Sequence, residues 1–144
     1  EGGIAVSGQK HYCHSHYEEI FEINPEFPKV RILSNGGHTS IMSDSGIGYI
    51  KNADLNLTRF RESNEEPKGI FAFVKNGDRI MSLTKAPLYD KGTSYKTYFE
   101  EGGVTYSSRQ REMEALYSVT VSTKYDCEAR QIKIKNNYSE RNTL

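Results

Sequence analysis

Tryptophan is missing from this chain, and cysteine occurs only twice, at Cys13 and Cys127. Two thiols so far apart cannot staple a small secreted scaffold, which relies on several disulfides in place of a large core. Free thiols in a reducing setting are therefore the expectation, either in the cytoplasm or in the cytoplasmic part of a membrane-anchored parent. Neither sign of charge is in excess, with Lys plus Arg and Asp plus Glu at 19 each. Without a net field to steer a polyanion, nucleic acid is not an expected partner. No run approaches the roughly 18 consecutive apolar residues of a membrane-spanning helix. The G-x-S-x-G elbow, the P-loop and the Rossmann glycine fingerprint are absent, as is any pair of carboxylates whose placement can be argued. No catalytic residue and no cofactor are assigned on these grounds.

The segment His11-Tyr12-Cys13-His14-Ser15-His16 crowds metal-ligand types together. Zinc sites draw paired ligands from two separated places, and here Cys127 and His38 stand alone, so a polar approach segment is expected and no metal. Residues 1–9 are small and glycine-rich, with no starting Met and no basic-then-apolar leader, which reads as a cut from a longer protein. We divide the chain into a lead-in over residues 1–16 and one domain over residues 17–144.

What remains is a chain of 144 residues with ten Tyr and six Phe. That length suits a single core able to bury about 70% of the unfolded surface. Short apolar runs separated by turn residues dominate it. Ile70-Phe71-Ala72-Phe73-Val74 and Arg79-Ile80-Met81-Ser82-Leu83 flank Lys75-Asn76-Gly77-Asp78, a hairpin signal. Tyr95-Lys96-Thr97-Tyr98-Phe99 and Val104-Thr105-Tyr106-Ser107-Ser108 flank Glu100-Glu101-Gly102-Gly103, a second one. From Met113, apolar side chains fall at Ala115, Tyr117, Val119 and Val121, with Leu116 the exception, so period two predicts a strand with one buried face. The turn Lys124-Tyr125-Asp126 returns it antiparallel through Arg130, Ile132 and Ile134. Acidic, aromatic residues 17–27, bounded by Pro25 and Pro28, read as an irregular strap across the fold. The pattern is all-β with no helix.

The most punctuated stretch, residues 33–62, reads LSNGGHTSIMSDSGIGYIKNADLNLTRFRE. Its glycines suit turns or close backbone approach within a tight meander. Arg59 and Arg61 would share one face of an extended segment, with Thr58, Phe60 and Glu62 on the other. The order L-S-N-G, then G-x-G-Y, then L-T-R-aromatic-R resembles the N-terminal β-sandwich domain of glycoside hydrolase family 94, formerly glycosyltransferase family 36. Within it, the cyclic β-1,2-glucan synthase and 1,2-β-oligoglucan phosphorylase branch is the nearest match, and a looser likeness runs from Pro28 to the end. The chain departs from the family pattern at Gly37-His38, where Arg-Tyr is usual, at Phe60, where Trp or Tyr is usual, and at Ser63, where an acid is common. These bear on sugar contacts more than on fold.

The resemblance implies an antiparallel β-sandwich of the supersandwich, galactose mutarotase-like type, truncated at its C-terminus. In that family the acid and phosphate site of phosphorolysis lie in an (α/α)₆ barrel, so this domain would be noncatalytic, shaping a β-glucan site and assisting dimerisation. A free-standing carbohydrate-binding module and a structural domain without a ligand are the alternatives.

Four residues are candidates for carbohydrate contact. Arg59 and Arg61 could grip sugar hydroxyls through planar donors, pin glycine loops through carbonyls, or remain solvated charges near Asp54 and Glu62. Asn35 could serve sugar or its own turn, and Tyr49 could be a stacking platform or a core ring. Residues 138–144 read as a turn into a further strand. Cutting a sheet there would leave residues 128–135 with unpaired backbone groups and favour a homo-oligomer.

Overall fold

A computed structural model describes residues 18–24, 26–59 and 66–137. Eleven strands and no helix occur among them. In chain order they are β1 Glu18–Ile20, β2 Val30–Ser34, β3 His38–Ser43, β4 Gly48–Asn52, β5 Leu55–Asn56, β6 Phe73–Asn76, β7 Arg79–Ser82, β8 Ser94–Phe99, β9 Gly103–Gln110, β10 Met113–Val121 and β11 Glu128–Asn136. They form a five-stranded sheet ordered β1-β8-β9-β10-β11, a four-stranded meander ordered β2-β3-β4-β5, and the hairpin β6-β7. Every pairing is antiparallel.

Alternation along the strands decides what fills the space between the layers. Met113, Ala115, Tyr117 and Val119 of β10 are buried with Val104 and Tyr106 of β9, while Leu33 and Met42 come from the meander and Val74 and Met81 from the hairpin. Tyr106 stacks on Tyr117 with ring centroids 5.9 Å apart, and its hydroxyl crosses the layers to donate to the Ser43 carbonyl at 2.8 Å. Leu116, the break in the apolar alternation, lies exposed on the outward face of β10.

Two sequence expectations are corrected in detail. The strap is not wholly irregular, because Glu18–Ile20 joins the five-stranded sheet as an edge strand with Ile20 opposite Thr97. Burial of Ile20 against the core holds it there. The β6-β7 hairpin is present, but its register sets Asn76 opposite Arg79, so its two-residue turn is Gly77-Asp78. Positive φ falls on Gly77, at 59°, and the non-glycine positive-φ residues do not include Asp78. Glycine at the first central position is the pattern of a II′ turn, which is why the register moves by one residue from an Asn-Gly I′ turn.

The extended segment read over Thr58 to Glu62 is described only as far as Arg59. Strand β5 ends at Asn56. Beyond it, Leu57 N and Thr58 N both donate to the Ile50 carbonyl, at 2.9 and 3.3 Å. Two residues against one is the hydrogen-bond pattern of a β-bulge. Arg61, Phe60 and Glu62 lie outside the described residues, as do His11, Cys13, His14, His16 and residues 138–144.

Candidate functional site

The bulge closes one end of an open groove. Thr58 supplies its hydroxyl in place of a backbone carbonyl, accepting the Ile50 N–H at 2.9 Å. That bond fixes the chain just before Arg59 and brings the exposed Arg59 to a cavity of about 520 Å³ lined by Tyr49, Asn56, Leu57, Thr58 and Arg59. Two of the four candidate residues, Tyr49 and Arg59, thus share one groove. Tyr49 is not a core ring: it lies on the outward face of the meander, half-buried, with its hydroxyl donating to Asn56 Oδ1. Opposite positions of antiparallel strands share a face, so Ile32, Ile41 and Tyr49 form a row across that surface. An aromatic face, a guanidinium and amide and hydroxyl groups in an open groove can stack on and hydrogen-bond a polyhydroxylated ligand.

Asn35 stands elsewhere, in the wall of a second cleft of about 420 Å³ bounded by Ile32–Ser34, Glu101–Gly102 and 121–123. Its amide nitrogen donates to the carbonyls of Ser122 and Tyr125, both at 2.8 Å. Its oxygen accepts from Gly37 N at 3.0 Å and His38 N at 2.7 Å. Both donors and both lone pairs are in use, so the side chain ties the β2-β3 turn to the β10-β11 turn across the two sheets.

A buried polar cluster lies between the sheets that no sequence motif announced. His38 and Ser40 alternate on β3 and face Glu128 and Arg130, which alternate on β11. Ser40 Oγ donates to Glu128 Oε2, and His38 Nε2 lies 3.2 Å from Ser40 Oγ and 3.5 Å from Glu128 Oε2. Arg130 Nε donates to Glu128 Oε1 at 2.5 Å, and its Nη1 donates to the Tyr117 hydroxyl and to the Ile70 carbonyl at 3.3 Å. Burial alone would raise the Glu128 carboxyl, but donation from Ser40 and Arg130 outweighs it and holds it below the usual range. Burial likewise opposes the Arg130 charge, and the bond to Glu128 overcomes it and raises the guanidinium further.

Serine, histidine and glutamate together invite comparison with a nucleophilic triad, and the geometry rejects it. In a triad the acid grips the far nitrogen of the imidazole and the serine hands its proton to the near one. Here the serine donates directly to the carboxylate, and the far nitrogen, His38 Nδ1, has no partner. Ser40 is 0% exposed, so no substrate reaches its oxygen. The cluster is a clasp between sheets.

A second buried acid, Asp44, closes the β3-β4 turn. It is 1% exposed; Oδ2 accepts from Lys29 N at 3.2 Å while Oδ1 has no partner. Burial raises its carboxyl, against the lowering effect of backbone donors from Lys29 and Ser45. The same turn needs Gly46, whose φ is 93° and where a Cβ would sit 2.4 Å from Thr84 Cβ. Among the described residues no group of three or more His, Cys, Asp or Glu side chains could hold a metal ion.

The alternating polar pairs on β3 and β11 were visible as residues, but their meeting depends on the packing of one sheet on the other, which joins Ser40 to Glu128 across 88 residues of chain. Comparison with known proteins gives one family match. A family model described as the glycosyl hydrolase 94 supersandwich domain matches residues 18–144. No curated protein matches the chain.

Proposed function

The chain belongs to the glycosyl hydrolase 94 supersandwich-domain family, and from that premise we propose that it is a noncatalytic domain of a glucan phosphorylase or glucan synthase. It shapes the β-glucan site of a helical-barrel catalytic domain in the parent protein and assists dimerisation. The observation that carries the reading is the groove in which Tyr49 and Arg59 meet. Arg61, two residues on, belongs to the same proposal. The buried acids support the noncatalytic part, since Glu128 is committed to Ser40 and Arg130, and Asp44 is enclosed in its turn. Glycoside cleavage requires a carboxyl group that reaches the scissile oxygen.

The test pairs two measurements. The chain by itself is expected to show no phosphorolysis or hydrolysis of β-glucosides, with or without phosphate. In the parent enzyme, Arg59→Ala is expected to raise KM for the glucan about tenfold, a loss near 1.4 kcal/mol of uniform binding, with kcat little changed. Turnover by the isolated chain that one carboxylate substitution abolishes would overturn the noncatalytic reading. An unchanged KM would remove the groove from the glucan site. The openness of the groove also suits a free-standing carbohydrate-binding module, and saturable glucan binding by the isolated chain, lost in Arg59→Ala, would favour that alternative.

A further inference from the structure

Asn-Gly occurs twice in the chain, at Asn35-Gly36 and Asn76-Gly77. The pair is chemically labile, because a glycine has no Cβ to keep its nitrogen from the carbonyl carbon of the asparagine side chain. Attack by that nitrogen closes a succinimide and expels ammonia. Water then opens the ring on either side, leaving aspartate or isoaspartate. In sum, one amide and one water become one carboxylate and one ammonium ion, with nothing oxidised or reduced.

Both asparagines are half-buried, so exposure does not separate them. Hydrogen bonding does. At Asn35 the leaving nitrogen donates to the carbonyls of Ser122 and Tyr125, and the oxygen accepts from Gly37 N and His38 N. The attacking nitrogen, Gly36 N, donates to Ser34 Oγ at 3.2 Å. Two N–H donors polarise the Asn35 carbonyl, which alone would favour attack. That gain requires an amide plane free to turn toward Gly36, and four bonds to two separate turns hold it fixed.

At Asn76 that restraint is missing. Neither its side chain nor the Gly77 N–H forms a hydrogen bond among the described residues. Asn76 ends β6 opposite Arg79, and Gly77, with φ of 59°, opens the exposed Gly77-Asp78 turn. Only the closing pair of the hairpin has to fray for the Asn76-Gly77 peptide to turn, and fraying at the end of an element is among the cheapest openings a fold offers.

We propose that Asn76 is a site of spontaneous succinimide formation, converting to aspartate and isoaspartate in the folded chain, and that the fold protects Asn35 from the same reaction. The two products differ in consequence. Aspartate sets a carboxylate opposite Arg79, a favourable cross-strand pair. Isoaspartate routes the main chain through the side-chain carbon and adds one backbone atom to β6, which breaks the two-residue turn. Val74 and Met81, buried two pairs farther along, hold the rest of the hairpin. The reaction uses nothing of the groove at Tyr49 and Arg59, so this proposal and the functional one fail separately.

Trypsin separates the two sites, since Lys75 and Arg79 bound the peptide 76–79 while Arg31 and Lys51 bound 32–51. After incubation of the folded chain in mildly alkaline buffer, 76–79 is expected to gain one mass unit and to contain both aspartate and isoaspartate. It should do so about tenfold faster than 32–51, the protection that a local opening step imposes on Asn35. In guanidinium chloride the two peptides should react at similar rates, because both then present the same unrestrained dipeptide. Asn76→Gln, whose longer side chain must close a larger ring, should show no gain at 76–79 and should keep its urea midpoint through an incubation that lowers the midpoint of the unsubstituted chain. Equal rates at the two sites in the folded chain, a gain at 76–79 seen only after unfolding, or a difference between the sites that survives unfolding overturns the proposal.

Discussion

Glu128, part-buried between the sheets, and Asp44, buried in the β3-β4 turn, are pushed in opposite directions by their surroundings. Glu128 is held ionised by Ser40 and Arg130, so its stabilisation is present above the ordinary value of 4.5 and is lost as pH falls through its lower folded-state value. Glu128→Gln is expected to cost about 1.5–3 kcal/mol near neutrality, in keeping with charge-assisted bonds. Urea titrations across pH should show that cost shrinking below pH 4.5. Asp44 behaves inversely. Its carboxyl is raised from 3.8, so the folded state binds the extra proton and the ionised form carries a penalty at neutral pH that acid removes. Relative to Asp44→Asn, the unsubstituted chain should gain stability as pH falls toward 3.8. Parallel pH profiles for the two substitutions would contradict this assignment of causes.

Among the elements, those with local signals were legible. The strands of 94–110 and 113–136 follow from period-two alternation, and the two hairpins read there, β8-β9 and β10-β11, are present. The Gly77 hairpin was legible in position but not in register, since one residue decides between II′ and I′ geometry. The bulge at Leu57 and Thr58 was not, because it depends on a side chain replacing a backbone acceptor. That replacement is testable. Thr58→Val keeps the shape and removes the acceptor for the Ile50 N–H. It should destabilise the chain by about 1–3 kcal/mol, and amide exchange at Ile50 should rise more than at Ile41 on the neighbouring strand. Equal protection at both amides would show that the hydroxyl does not hold the bulge. Of the candidate site, Tyr49 and Arg59 were legible as residue types in a glycine-rich meander. Asn35 lies apart because its partners, Ser122 and Tyr125, come from the far end of the chain.

At the scale of the whole molecule, the clasp ties β3 to β11 through Ser40 and Glu128, which are 88 residues apart. Closure of the layers therefore comes at the far end of the sequence, and it sets an order in time. While the chain is being made, the meander holding His38 and Ser40 is complete long before Glu128 emerges, and its inward polar groups have only water or a chaperone to bond. Contacts of such sequence separation place folding in the millisecond-to-second range of sandwich topologies. Stopped-flow refolding of Glu128→Gln tests this order: if the clasp forms after the rate-limiting step, the substitution speeds unfolding and leaves the folding rate little altered, whereas a slowed folding rate would place the clasp in the transition state.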